Sequence, residues 1–294
     1  MYRFKFASLV LDYHGDKYYF AEHLSIQTDL MRYFILFLAF SIGFLSCSSN
    51  SDSDTATEQE SSNENLAYEP SFFELRTYYA NEGKLEELLK RFEDHTMKLF
   101  EKHDMTNIAY WLPMDNTENK LVYLMGYQSK AHRDQAWENF ISDPEWTKAW
   151  EASRVNGPLV DSIHNTFFTY TAYSPKLSLE DTSPRIFSMR TYYTFPGKLG
   201  ALHQRFQNHT MEIFENNGMK NIAYFNMSQE NPLAKNVLTY FITFPDTTAR
   251  KASWESFSAD PAWKSAYANS IEDGKIVDSL TAELLIPTSF SPLK

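Results

Sequence analysis

The chain has 294 residues, a formal net charge of -11, 43% hydrophobic and 22% charged residues, which suits a globular protein with room for two domains. The acidity excludes a general nucleic-acid binder, which needs a basic face. A single Cys excludes an intramolecular disulfide and a cysteine-cluster zinc site, while 16% aromatic residues supply a large core and the side chains of an aromatic pocket.

Met31 and Arg32 open an apolar run over 33–45 that ends at Ser46-Cys47. A short basic start, a hydrophobic stretch and a small residue form the layout of a secretory signal, too short for a membrane-spanning helix. The ending resembles a bacterial lipoprotein signal, in which Cys47 is lipidated and becomes the first mature residue. Phe44 stands where the commonest form has an aliphatic residue. A signal over 31–46 places the translation start at Met31. Residues 1–30 are then an extension ahead of the true start, or a real extension with a targeting role. Residues 47–70 hold six acids, no base and almost nothing apolar. Such a segment cannot build a core and reads as a disordered acidic tether. It accounts for much of the net charge, so the folded part is only mildly acidic. The expected setting is the cell envelope, at the bacterial outer membrane, with the membrane itself as a partner through the lipid on Cys47.

The folded part opens with a strand at 73–79, where period-two alternation sets Glu74, Arg76 and Tyr78 against a large apolar set. The spacing predicts a helix over 82–103, with Leu85, Leu88, Phe92, His95 and Leu99 on one face. Strands follow at 107–112 and 120–127, with a turn between them. A helix at 132–140 stops at Ser142-Asp143-Pro144. A short helix continues to 154 with Asp143 as N-cap and Pro144 at its first position. A fourth strand covers 165–170. The order β-α-β-β-α-β is the ferredoxin-like arrangement.

The same series then repeats. FELRTYYANEGKLEELLKRFEDHTMKLFEKHDMTNIAYW from Phe73 matches FSMRTYYTFPGKLGALHQRFQNHTMEIFENNGMKNIAYF from Phe187 at a constant offset of 114. From Trp137 and Trp254 onward the offset is 117, so three extra residues fall between Met227 and Asn236. The chain is thus two tandem modules, 71–173 and 185–294, joined by a linker at 174–184. One module has helices on only one sheet face, and the other face needs cover. The expected fold class is α+β, with the two ferredoxin-like modules packed sheet to sheet as a pseudo-dimeric α/β barrel. Tyr78 and Tyr192 are expected on the face between the sheets.

The FELRTYYANEGKLEELLKRFEDHT opening and the Asp143-Pro144-Glu145-Trp146 stretch recur at Phe187 and at Asp260-Pro261-Ala262-Trp263. Here the sequence resembles the NIPSNAP family of the dimeric α/β-barrel group, over residues 71–293. Ser188-Met189 replaces Glu74-Leu75 in the second copy and weakens the signature there. The resemblance implies the barrel fold but no agreed activity, because shared fold does not carry function.

Several repeated side chains are candidates for chemistry. His95 and His209, each followed by Thr-Met, are expected on the inward helix face, as a catalytic base, a ligand or a substrate anchor, or as core histidines. Arg76 and Arg190 lie mid-strand and need partners if buried. Glu74 serves for Arg76, but Ser188 cannot serve for Arg190, so another acid or a bound anion must. Tyr78, Tyr110, Tyr192 and Tyr224 are candidates to line a ligand pocket, or are core residues with a polar tip. Trp137 and Trp254 pack helix on sheet, and His103, replaced by Asn217, reads as solvated. No phosphate loop, metal-binding histidine pair or nucleophile elbow is present, so neither a cofactor nor a metal is expected. Three functions follow. The first is a membrane-tethered module that binds a small organic ligand or a partner protein. The second is a cofactor-free monooxygenase or isomerase using His95 and His209. The third is a structural assembly protein, with homo-oligomers possible.

Overall fold

A computed structural model of the chain describes residues 69–180, 183 and 185–294. The proposed signal, Cys47 and the tether up to residue 68 lie outside the described residues.

The first module runs β1 (Phe72–Ala80), α1 (Leu85–Arg91), one π-helical turn (Phe92–Thr96), α2 (Met97–Lys102), β2 (Thr106–Pro113), β3 (Lys120–Tyr127), α3 (Lys130–Ser142), α4 (Pro144–Ala152) and β4 (Val160–Tyr170). The second repeats it as β5 (Ile186–Thr194), α5 (Leu199–Arg205), a π-helical turn (Phe206–Thr210), α6 (Met211–Asn216), β6 (Lys220–Met227), β7 (Val237–Phe244), α7 (Thr247–Ala259), α8 (Pro261–Ser270) and β8 (Val277–Pro287). The β6–β7 loop that holds the three extra residues includes the short 3-10 turn Ala234–Asn236, where buried Ala234 joins the core. Asp143 and Asp260 each accept a hydrogen bond from the backbone N–H two residues on, at 2.8 Å, and Pro144 and Pro261 occupy the first helical position.

The strands close into one antiparallel barrel in the order β1-β3-β2-β8-β5-β7-β6-β4. Each module contributes the ferredoxin-like order with β1 or β5 inside. The modules join at two short seams. At one, Phe168, Thr169 and Tyr170 pair with Met227, Asn226 and Phe225. At the other, Trp111, Leu112 and Pro113 pair with Pro287, Ile286 and Leu285. The α+β pseudo-dimeric barrel expected from the duplication is therefore the fold of the chain.

Alternation along the strands divides the apolar residues into three layers. Phe73, Leu75, Trp111, Phe168, Phe187, Phe225 and Phe241 face the barrel interior and form one core drawn from both modules. Trp111 stacks on Phe241 with ring centroids 5.4 Å apart, and Phe168 stacks on Phe225 at 5.5 Å. The opposite strand face meets the helices, giving one core beneath α1–α4 and a matching one beneath α5–α8. Tyr78 and Tyr192 belong to these outer layers, not to the face between the sheets. They lie two residues from Arg76 and Arg190, on the same face of their strands.

Each long helix differs from the regular one expected over 82–103. The π-helical turn inserts extra rotation, so the buried series runs Leu88, Arg91, Phe92, Thr96, Leu99 and Phe100. Thr96 takes the inward place, and its hydroxyl donates to the Arg91 carbonyl at 3.1 Å. Thr210 does the same to Arg205 at 3.1 Å. His95 and His209 are rotated out and are exposed. The expectation that they turn inward is corrected on this ground.

Candidate functional site

Under the helices of the first module lies a buried polar cluster centred on Glu74 of β1, which has no exposed surface. Arg76, two residues along the strand, forms a short ion pair with it. Arg133 of α3 donates through Nε and Nη2 to both carboxylate oxygens, each at 2.8 Å. The indole Nε1 of Trp137 donates at 3.1 Å, Asn165 Nδ2 of β4 at 3.2 Å and the Tyr127 hydroxyl at 3.4 Å. The Arg76 guanidinium lies 4.3 Å from the Trp137 ring centroid, and Arg133 lies 5.1 Å from that of Phe167. Burial by itself would raise the Glu74 carboxyl, but Arg76 and Arg133 outweigh it and hold it down to about 2. One buried carboxylate thus serves two guanidiniums in this module.

The second module keeps the cations and loses the anion. Arg190, Arg250 and Trp254 occupy the places of Arg76, Arg133 and Trp137, while Ser188 occupies the place of Glu74. The other neighbours of the carboxylate change as well. Tyr127 becomes Phe244, Asn165 becomes Ala282 and Phe167 becomes Leu284. Arg190 Nε donates to the Tyr240 hydroxyl at 3.0 Å, and its guanidinium lies 4.7 Å from the Trp254 ring centroid. Neither Arg190 nor Arg250 has a carboxylate partner among the described residues. The Ser188 hydroxyl, Arg250 Nε and Trp254 Nε1 are buried atoms with no hydrogen-bond partner within the described chain. In the first module Arg76 Nε and the Tyr123 hydroxyl are likewise without a partner, so what sets the second apart is the missing carboxylate and the unpartnered serine hydroxyl and indole N–H around it, groups that are costly to leave unmade. An open surface groove is lined by Arg250, Lys251, Trp254, Glu255, Ser258 and Ala259 of α7.

Of the predicted site residues, Arg76 and Tyr78 meet in the first cluster, and Arg190 and Tyr192 meet in the second, where Arg190 Nη2 is 3.5 Å from the Tyr192 hydroxyl. Tyr110 and Tyr224 do not reach the arginines. Each is buried, donates its hydroxyl to Asn107 or Asn221, and stacks on Tyr123 or Tyr240 at 5.3 or 5.2 Å. Those asparagines in turn donate to the Met97 and Met211 carbonyls at 3.0 and 2.9 Å, tying each strand start to the helix before it. His95 and His209 belong to neither cluster. His103 is not simply solvated, because its Nε2 lies 2.7 Å from Asp143 Oδ2, and Asn217 makes the matching bond to Asp260 at 2.9 Å. Lys102 and His103 hold the Asp143 carboxyl well below the usual carboxylate range. Arg133 and Arg250 are functional candidates that strand-by-strand reading misses. The signal was present, since both sit at the 117-residue offset of the repeat. Among the described residues no group of three or more His, Cys, Asp or Glu is placed to hold a metal ion, and no helix is long and apolar enough to cross a membrane.

A closed barrel of two ferredoxin-like modules defines the dimeric α/β-barrel class of proteins. The NIPSNAP family model matches residues 73–175 and 187–292, and the chain belongs to the NIPSNAP family. It is 24% identical over 228 residues to the human protein NipSnap homolog 3A, covering 77% of this chain and 87% of that one. Among solved structures, a Fusobacterium nucleatum protein assigned provisionally as a monooxygenase aligns with a TM-score of 0.52 at 11% identity, over 75% of this chain and 93% of its own. An uncharacterised NIPSNAP domain protein from Burkholderia xenovorans is 24% identical, with a TM-score of 0.32, over 36% of this chain and 99% of its own. At 11% identity the likeness to the Fusobacterium nucleatum protein defines the fold alone.

Proposed function

We propose that this protein is a binding protein of the cell envelope, held at the membrane by a lipid on Cys47, that carries a small organic ligand in its second module. One observation supports the ligand most strongly. Two modules with the same arginine pair and the same tryptophan differ at the residue that would neutralise them, Glu74 against Ser188. In the first module Glu74 supplies a carboxylate to both arginines, and in the second a guest would supply it. An enzyme built on His95 and His209 lacks comparable support, because both rings lie on exposed helix faces away from the arginine clusters. The acidic tether at 47–70 would let the barrel stand clear of the bilayer.

Native mass spectrometry of the chain purified from membranes tests the ligand. One small-molecule adduct per chain is expected, absent after denaturation and absent in Arg190→Ala. A wild-type chain that never carries an adduct contradicts the proposal. The anchor has its own test. Wild type should sediment with membranes and begin at a diacylated Cys47, while Cys47→Ser should be released. A membrane-bound Cys47→Ser chain would rule the lipid out.

A further inference from the structure

We infer that the ligand enters the second module through a carboxylate, which takes the position that the Glu74 side chain fills in the first, and that its apolar body lies along β8. This rests on the binding function proposed above and adds the chemical class of the ligand.

The first module serves as the template. There Arg76, Arg133 and Trp137 converge on one planar carboxylate, with the Arg133 fork reaching both oxygens at 2.8 Å. Forked guanidinium groups match a carboxylate in shape and charge. The second module presents the equivalent donors on equivalent elements, from β5 and α7. Burial of the Ser188 hydroxyl, with no exposed surface and no partner within the described chain, adds a donor at the point where the Glu74 side chain would begin. The charge count points the same way, since two guanidiniums share one carboxylate in the first module.

The body of the ligand is read from the strand beside the site. In the first module, Glu74 and Arg76 face Phe167 and Asn165 across the β1–β4 ladder. In the second, Ser188, Arg190 and Tyr192 face Leu284, Ala282 and Leu280. An aromatic ring and an amide that line the first site are replaced by smaller apolar side chains. Leu280 is 46% exposed and Ala282 is exposed, so the apolar strip continues from the arginines to the surface. A monocarboxylate with an apolar body fits this surface. A phosphate would offer no apolar body for the strip.

Calorimetric titration of the full chain with phenylacetate tests the inference, because that probe joins a carboxylate to a small apolar body. One site per chain is expected. Phenylacetamide, its neutral counterpart, should bind about tenfold or more weakly, since it forgoes the charge-assisted bonds. Ser188→Glu should supply the carboxylate internally. It should weaken phenylacetate about tenfold or more while melting cooperatively at a temperature no lower than wild type. Phenylacetate that does not bind wild type, or that binds Ser188→Glu undiminished, overturns the inference. If inorganic phosphate or phenylacetamide binds in an Arg190-dependent way while phenylacetate does not, the carboxylate class falls and the binding function stands. If no probe binds and the chain carries no adduct, both fall.

Discussion

Glu74 is the residue on which the first module's polar interior depends. Removing its charge leaves two guanidiniums with no anion beneath the helices, and uncompensated buried charges are strongly destabilising. Glu74→Gln should lose about 3–5 kcal/mol of stability in urea denaturation. The same group makes stability depend on acid. Its folded pKa lies below the model-compound value of 4.5, at about 2. The stabilisation is therefore full above pH about 4.5 and is lost as pH falls toward about 2, by about 3 kcal/mol in all. Urea midpoints measured across that window should drop for wild type. The part due to Glu74 should be missing in Glu74→Gln. In the sequence, the Glu74–Arg76 pair was visible from strand alternation, and so was the inability of Ser188 to replace Glu74. Arg133 was not, because a helical residue 59 positions away meets Glu74 only through the tertiary fold.

At the scale of single elements, the π-helical turns decide which side chains the helices bury. A regular helix puts His95 between Phe92 and Leu99 on the apolar face, which is why the period of the sequence pointed inward. The extra residue per turn moves Thr96 into that place instead. A π turn leaves little trace in hydrophobic periodicity, since the residues on either side keep their spacing. The Thr96 hydroxyl bond to the Arg91 carbonyl is buried, so Thr96→Val should cost about 1 kcal/mol in chemical denaturation, and Thr210→Val a similar amount. His95→Ala should change stability by no more than about 0.5 kcal/mol, as expected of an exposed helix position. A larger loss would mean that the ring is packed. The strands needed a smaller correction, since β4 begins at Val160 ahead of the expected 165 and Tyr78 and Tyr192 lie on the helix-covered face of theirs. Their alternation is local, and the third strand was read at the residues where β3 lies.

At the scale of the whole molecule, the duplication made the barrel legible. One module cannot cover both faces of its sheet, and two can. The sequence could not show how the modules meet, because the seams pair residues more than fifty positions apart. The interior core joins Phe73, Trp111 and Phe168 with Phe187, Phe225 and Phe241, so neither half can bury it alone. Residues 71–173 expressed alone should therefore sediment as a dimer or larger, never as a stable monomer, because that face is too apolar to stay exposed. The two modules also turn a symmetric scaffold into an asymmetric one, with one site filled by Glu74 and one left for a ligand. The indole N–H resonances of Trp137 and Trp254 report on the two sites in one spectrum. On titration with phenylacetate, the Trp254 signal should move and saturate while the Trp137 signal stays fixed. A stationary Trp254 signal, or equal movement of both, would contradict the assignment of the ligand to the second module.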